Sequence, residues 1–172
     1  MVSLIEEACQ RHPGHIRVHL MVGLGETEEE LCRCMQQIYD WGGMVSLFAF
    51  TPVRGTPLEK HPQPPLDVYR RMQAARYLID RGLARAEQFS FDEQGWLRDL
   101  GRPDALALLS DGQAFRTSGC PQCNRPFYNE RPGRTMYNYP RPLTVEEAAR
   151  AVGEMEAGGR GLEVGGWSLE ER

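Results

Sequence analysis

The pattern in this sequence most suited to holding a metal is Cys120-x-x-Cys123, in the segment Gly-Cys-Pro-Gln-Cys-Asn. Such a pair presents two thiolates to one metal ion or cluster, and the neighbouring glycine and proline suit the tight turn that this requires. Four ligands need a second pair, which the sequence does not contain, so these cysteines make half of a site. Three interpretations stay open from the residues alone: a shared metal or cluster site, two free thiols, or a thioredoxin-like redox pair.

A second pattern, Gly23-Leu24-Gly25-Glu26-Thr27, directly follows an apolar run. At the carboxyl end of a parallel strand, where α/β proteins bind ligands, glycines let the backbone come close to one. Glu26 is expected either to accept a hydrogen bond from a ribose hydroxyl or to fix the turn. No third glycine follows at the spacing of the dinucleotide fingerprint, so that class of site is not indicated.

The remaining cysteines are expected to be ordinary residues of helices. Cys9 stands alone in the amino-terminal segment. Cys32 and Cys34 are two positions apart on a predicted helix, so their side chains point in different directions and cannot share a metal. The periodicity of Leu31, Cys34, Met35 and Ile38 places Cys34 on the buried face and Cys32 off it.

Polar residues near these patterns are weaker candidates. His12 and His15 flank a Pro-Gly turn and are expected to be solvated, whereas His19 alternates along a strand and either contacts a ligand or bonds a neighbour. A basic, amide-rich cluster beside the cysteine pair either grips a carboxylate or carrier protein or stacks on Phe127 and Tyr128. Its members are Asn124, Arg125, Arg131 and Arg134.

Composition excludes several classes of protein. The chain has 172 residues, with 20 basic and 24 acidic side chains and a net charge of −4, so a basic arm for nucleic acid is not indicated. No apolar run approaches the roughly 18 residues of a membrane span, and the first residues do not form a signal peptide. Five cysteines, an odd number, argue against a disulfide framework. We therefore expect a cytoplasmic protein.

A βαβ unit is predicted over residues 16–50. The first strand is Ile16–Val22 and the second is Met44–Phe50. The helix between them begins at Thr27, whose spacing to Glu30 is that of a capping box, and ends at Gly42-Gly43. Further along, we predict a proline-rich loop over 51–65, a helix over 66–81, a hairpin over 89–97, a short helix within 103–112, an aperiodic stretch over 113–142, and a last helix from Thr144 to Gly158.

The Gly-Leu-Gly-Glu-Thr word after an apolar strand resembles a stretch of biotin synthases, lipoyl synthases and their relatives in the radical S-adenosylmethionine superfamily. There a loose Gly-x-Ile-x-Gly-x-x-Glu pattern lies against the adenosyl group. In this sequence its second glycine is Gly23 and its acid Glu26, while His19 replaces the first glycine and Met21 the aliphatic residue. The resemblance implies that Gly23, Gly25 and Glu26 line a site for S-adenosylmethionine.

The segment 117–132, together with Phe91–Gly95 and Tyr137–Arg141, resembles the carboxyl-terminal region of a component of the two-protein lipoyl synthase of archaea and some bacteria. This implies that Cys120 and Cys123 help to hold an auxiliary 4Fe–4S cluster. Its further ligands would come from a part of the enzyme outside this sequence or from a neighbour such as Ser118. It also implies sulfur insertion into an octanoyl chain on a lipoyl carrier protein, and a second radical S-adenosylmethionine subunit as partner.

The superfamily's Cys-x-x-x-Cys-x-x-Cys triplet is absent from this sequence. By resemblance, the chain alone is therefore expected neither to bind the radical-generating 4Fe–4S cluster nor to be active, and to be about half of a larger enzyme. Other interpretations are a biotin-synthase-like or other radical enzyme fragment, a small zinc-binding or interaction module, and an inert gene fragment.

The expected fold class is α/β, with the later strands of a partial parallel (β/α) TIM-type barrel and a loop-rich carboxyl-terminal extension that ends in a helix. We place the barrel part in residues 1–85, the auxiliary-cluster extension in 86–157 and a flexible tail in 158–172. In a truncated barrel the strand Ile16–Val22 has an exposed edge, so we expect poor solubility of the isolated chain.

Overall fold

The computed structural model describes residues 2–118 and 136–156 and has a mixed α/β architecture with two small sheets. Its helices and strands are α1 Val2–Arg11, β1 Arg17–Val22, α2 Glu28–Asp40, β2 Met44–Ala49, α3 Leu66–Asp80, β3 Ser90–Phe91, β4 Leu97–Asp99, α4 Ala105–Leu109 and α5 Val145–Gly153. Two short 3-10 turns lie at Ala86–Gln88 and Gln113–Phe115.

The predicted βαβ unit is confirmed. β1 and β2 pair in parallel, in a register that runs from Arg17 beside Met44 to Val22 beside Ala49. The intervening helix begins at the predicted capping box: the Thr27 hydroxyl accepts from the Glu30 N–H, and the Glu30 carboxylate accepts from the Thr27 N–H. It ends before Gly42, whose φ of 86° favours glycine.

The two faces of the β1–β2 sheet differ in how they are covered. Val45, Leu47 and Ala49 point to the inner face and are buried in the core with side chains of α2 and α3. The outer face carries Arg17, His19 and Met21 of β1 beside Met44, Ser46 and Phe48 of β2. Within residues 2–118 and 136–156, this sheet has two strands, and no closed barrel is present.

Helix α3 is buried on nearly all sides. Tyr69, Met72, Arg76 and Ile79, which the helical spacing places on one side, are buried, and so are Asp67, Arg70, Arg71 and Gln73 on the rest of the helix. Of these polar residues, Arg70 and Arg71 pair with the carboxylates of Glu154 and Glu28, Asp67 pairs with Arg71, and the Gln73 amide donates to the Tyr137 carbonyl.

The carboxyl-terminal elements follow the predictions with shifted bounds. β3 and β4 form the predicted antiparallel hairpin. The last helix begins after Thr144, with the predicted capping box to Glu147, and ends at Gly153 rather than at Gly158. An isolated bridge joins Arg116 to Tyr139, and the Thr117 N–H donates to the Tyr139 carbonyl at 3.0 Å.

Replacing Thr27 with alanine is expected to lower the free energy of unfolding by about 1 kcal/mol, because the first turn of α2 loses its side-chain acceptor. Thr27→Ser keeps the hydroxyl and serves as the matched control, and chemical denaturation measures both. Equal losses in the two variants would show that contact of the threonine methyl with the turn at Gly95, rather than the cap, is what matters there.

None of the helices in the described ranges is both long and apolar enough to cross a membrane.

Candidate functional site

The predicted glycine turn lies where the sequence places it, at the carboxyl end of β1. Gly23 and Gly25 have φ angles of 99° and 114°, in the region that side chains other than glycine rarely adopt. Leu24 projects outward between them and is about half exposed. The turn therefore needs both glycines for its backbone path, whatever it binds.

The Glu26 carboxylate fixes this turn. Its Oε1 accepts from the Gly23 N–H at 2.6 Å, and its Oε2 accepts from the Leu24 N–H at 2.8 Å. Of the two roles expected for Glu26, the structural one is thus present. Each carboxylate oxygen keeps a further lone pair, so acceptance from a ligand hydroxyl stays compatible with this geometry.

Gly23 is covered by the proline-rich loop rather than open to a ligand. A Cβ at Gly23 would meet the Pro64 ring at 2.9 Å. His61 Nε2 is 2.8 Å from the Gly23 carbonyl oxygen, and its ring packs edge-on against Phe50 with centroids 5.2 Å apart. The loop thus closes over the first glycine of the turn, and sequence reasoning did not single out His61 or Pro64.

Gly25 is the open position of the turn, because a Cβ built there meets no described atom within 4 Å. A ligand at the carboxyl end of β1 can therefore approach the backbone at Gly25. Gly25 thus offers open backbone and Glu26 spare acceptor lone pairs at this end of the strand, whereas Gly23 contributes through the turn.

The outer face of the β1–β2 sheet carries a small apolar cavity beside this turn. His19, Leu20, Met21 and Phe48 line a space of about 180 Å³. The His19 and Phe48 rings are 4.8 Å apart and tilted. His19 thus faces outward from the core and contacts Phe48, which is a contact with a neighbour. Its side chain is also exposed, so a ligand in the cavity can reach it.

Arg17 stands at the other end of the same face. Its guanidinium donates to Ser46 Oγ at 3.3 Å and to Met44 Sδ at 3.2 Å. No carboxylate of the described ranges pairs with it, so this half-buried cation has only weak, uncharged acceptors there.

Ser118 attaches the chain to the sheet just before the cysteine pair. The Ser46 hydroxyl donates to the Ser118 carbonyl oxygen at 2.7 Å, and the Leu47 N–H donates to Ser118 Oγ at 3.3 Å. Cys120, Cys123 and the cluster Asn124, Arg125, Arg131 and Arg134 lie outside the described residues, as does the tail 158–172.

The prediction for the two cysteines of α2 is wrong. Cys32 is fully buried and Cys34 is half-buried, because the core-facing side of α2 is centred on Leu31, Cys32 and Met35 rather than on Cys34. Burial raises the pKa of the Cys32 thiol well above its usual range, as expected of an inert core thiol. The conclusion that the pair cannot share a metal is unaffected.

The other minor predictions agree with the structure where it describes them. Cys9 is a buried residue of α1, and His12 and His15 are exposed. Within residues 2–118 and 136–156, no three His, Cys, Asp or Glu side chains come together as metal ligands.

Compared with protein-family models, with curated proteins and with solved structures, the chain has no significant match.

Proposed function

We propose that this chain is part of a radical S-adenosylmethionine enzyme that inserts sulfur into an unactivated carbon chain. The observation that carries the proposal is the Gly-Leu-Gly-Glu turn at the carboxyl end of β1 in a parallel βαβ unit. That is the position at which α/β proteins bind ligands, and it is where the sequence resembles the superfamily. In this proposal β1 and β2 are later strands of a partial (β/α) barrel.

The residues of this chain would act by positioning. Gly25 offers open backbone and Glu26 spare lone pairs to the adenosyl group. Ser118, bonded to Ser46 and Leu47, fixes the chain two residues before Cys120. The outer sheet face, with His19 and Phe48, would then form part of the wall that excludes water from the reacting groups.

The bound groups would supply the hard chemistry: S-adenosylmethionine a carbon radical that abstracts hydrogen, and an auxiliary 4Fe–4S cluster on Cys120 and Cys123 the sulfur. The radical-generating cluster would be held outside this sequence, which lacks the three-cysteine triplet. An octanoyl group on a lipoyl carrier protein is the proposed substrate and a second radical subunit the proposed partner, with a biotin-synthase-like substrate as the alternative.

Anaerobic reconstitution with iron and sulfide tests the cluster directly. We expect a brown protein that contains acid-labile sulfide, and we expect Cys120→Ser and Cys123→Ser each to lose most of the iron and the colour, because each removes a thiolate ligand. Cys34→Ser is the matched control, since Cys34 is a half-buried thiol outside the pair, and it should keep the cluster.

Two results would contradict the proposal. A colourless protein that binds zinc without sulfide would identify a structural zinc module instead. Iron content that falls equally in Cys34→Ser and Cys120→Ser would show non-specific loading of thiols.

A further inference from the structure

We propose that residues 53–60, which form the tip of the proline-rich loop after β2, are the docking surface for an acidic carrier protein that delivers the substrate. This inference rests on the proposed function, which requires a substrate attached to a protein. It adds the surface of this chain that receives that protein and the chemistry by which the two recognise each other.

The loop tip is joined to the glycine turn through His61. The His61 N–H donates to the Leu58 carbonyl at 3.0 Å, and its ring nitrogen Nε2 lies 2.8 Å from the Gly23 carbonyl oxygen. The loop tip therefore lies at the carboxyl end of β1 and β2, which is the end of the strands where α/β proteins bind ligands. A protein seated on it stands beside the open position at Gly25.

Hydrogen bonds within the loop tip hold its backbone in consecutive turns. The Thr56 N–H donates to the Val53 carbonyl at 3.3 Å, and the Glu59 N–H donates to the Thr56 carbonyl at 3.1 Å. The Gly55 N–H donates to the Glu59 carboxylate at 2.8 Å. The side chains of the loop tip are thus presented on a preformed backbone, which lowers the entropy cost of binding a partner.

The loop tip exposes two large apolar side chains. Val53 is 59% exposed and Leu58 is 45% exposed, and Leu24 of the neighbouring turn is about half exposed. Together with Met21 at the end of β1, these make up half of the exposed large apolar side chains in the part of the chain that the structure describes. Exposed apolar side chains gathered at one end of a sheet indicate an interaction site, whereas single ones are ordinary surface.

The charges of the loop tip are positive although the protein is acidic. Arg54 and Lys60 are exposed, and neither forms an ion pair with another described residue. The one carboxylate of the loop tip, Glu59, is turned back to accept from the Gly55 N–H. Because the whole chain has a net charge of −4, an acidic partner is repelled by the protein as a whole and attracted to this loop.

These features favour an acidic protein with an apolar spot as the occupant. Apolar side chains flanked by cations fit a partner that covers the first and pairs with the second. Of the two partners in the proposed function, the carrier protein is the one that must bring its acyl chain to this end of the strands. It must also leave after each turnover, which suits a small contact with few ion pairs.

Titration calorimetry with a carrier protein tests the surface. The probe is a lipoyl domain of negative net charge whose lysine carries an octanoyl group, and no cluster or S-adenosylmethionine is added. We expect the double variant Arg54→Glu with Lys60→Glu to raise the Kd about tenfold, because attraction becomes repulsion. The matched control is Arg11→Glu with Arg81→Glu, which makes the same change in net charge at the ends of α1 and α3 and should leave the Kd nearly unchanged.

Two further variants separate the apolar and the ionic contributions. Leu58→Ser should weaken binding, whereas Val145→Ser should not, because Val145 is an exposed apolar residue of α5. In a series of lipoyl domains that each carry one Asp→Lys or Glu→Lys change, at least one should bind the Arg54→Glu, Lys60→Glu chain more tightly than the unmodified chain. Circular dichroism checks that each variant keeps its fold.

Three results would overturn the docking surface: no binding of the lipoyl domain, equal binding by the two double variants, or binding of vesicles of phosphatidylcholine and phosphatidylglycerol in place of the domain. The last would identify a membrane contact. Cluster reconstitution is measured separately on the same chain. A chain that loads the cluster and does not bind the domain would therefore refute the docking surface alone, whereas a chain that binds the domain and loads no cluster would refute the proposed chemistry alone.

Discussion

Replacement of Arg71 by methionine is expected to lower the free energy of unfolding by about 3–5 kcal/mol, because it breaks a buried ion pair from one side. Arg71 is fully buried, and its guanidinium donates to both oxygens of the Glu28 carboxylate, to Asp67 and to the Met155 carbonyl. Glu28 in turn accepts from the Leu97 N–H at 2.7 Å. One ion pair thus joins α2, α3, the hairpin and the end of α5.

The cost arises because the variant leaves Glu28 buried without its cation. Burial already raises the pKa of Glu28, and the hydrogen bonds and charge of Arg71 oppose that shift. Without Arg71 the folded-state pKa rises further, so the folded protein holds a proton that the unfolded chain releases. As the pH rises from the pKa of Glu28 in the unfolded chain to its higher pKa in the folded variant, unfolding is increasingly favoured.

Urea denaturation at about pH 5 and about pH 8 measures both effects, and the loss in Arg71→Met should be larger at the higher pH. The matched control is the double variant Glu28→Leu with Arg71→Met, which removes both charges and should recover part of the stability and lose the added pH dependence. An equal loss at the two pH values would show that lost packing, and not the unpaired carboxylate, accounts for the destabilisation.

Sequence patterns that act over a few neighbouring residues correctly predicted helix starts and strands. Both capping boxes, at Thr27 and Thr144, lie where their spacing indicates, because the cap hydroxyl and the carboxylate three residues later bond each other's backbone without help from distant chain. The parallel β1–β2 pair was likewise predictable from two apolar runs joined by one helix.

The failures have one physical cause, which is that burial depends on partners distant in sequence. From the sequence alone, Arg70 and Arg71 would be assigned to solvent. In the structure they are buried because they pair with Glu154 and Glu28, which are 84 and 43 residues away in the sequence. The same holds for Cys32, which is buried because α2 is covered on the side of Cys32 as well as that of Leu31 and Met35.

The candidate site was predictable in position but not in detail. The glycines marked the turn, and Glu26 was expected either to bind a ligand or to fix it; the structure shows the second role. That Pro64 and His61 cover Gly23 could not be read from spacing, since a loop about 40 residues further along supplies them. Gly25 is consequently the better position for ligand contact than Gly23.

Replacing Arg70 with methionine is expected to detach residues 136–156 from the core while β1 and β2 stay folded. Arg70 donates to the Glu154 carboxylate and to the Met136 carbonyl, each at 2.7 Å, and also to the Tyr137 carbonyl. Its guanidinium also lies over the rings of Phe115 and Tyr139, 5.6 and 5.4 Å from their centroids. One buried cation therefore ties both ends of this stretch to α3.

Hydrogen bonds to a charged group contribute about 1.5–3 kcal/mol each, and the carbonyls that lose Arg70 must be hydrated instead. We therefore expect the free energy of unfolding of residues 136–156 to fall by about 3 kcal/mol, with no change elsewhere. Hydrogen exchange should accelerate in α5 and at Tyr137 and Tyr139, with β2 amides unchanged. Arg81→Met, just after the end of α3, is the matched control, since Arg81 is exposed and its hydrogen bond to Gln113 is long, at 3.4 Å.

The outcome separates two roles for Arg70. Equal acceleration in α5 and in β2 would mean that Arg70 stabilises the whole core and that 136–156 is not a separable unit. Acceleration in α5 alone would show that Arg70 holds residues 136–156, which follow Cys120 and Cys123 in the sequence, against α3. Ser118, which precedes the two cysteines, is held by Ser46 of β2. In that case the described residues on either side of 119–135 are held by separate contacts, Ser118 by Ser46 and Met136 with Tyr137 by Arg70, and the Arg70 contacts can be removed without disturbing the sheet.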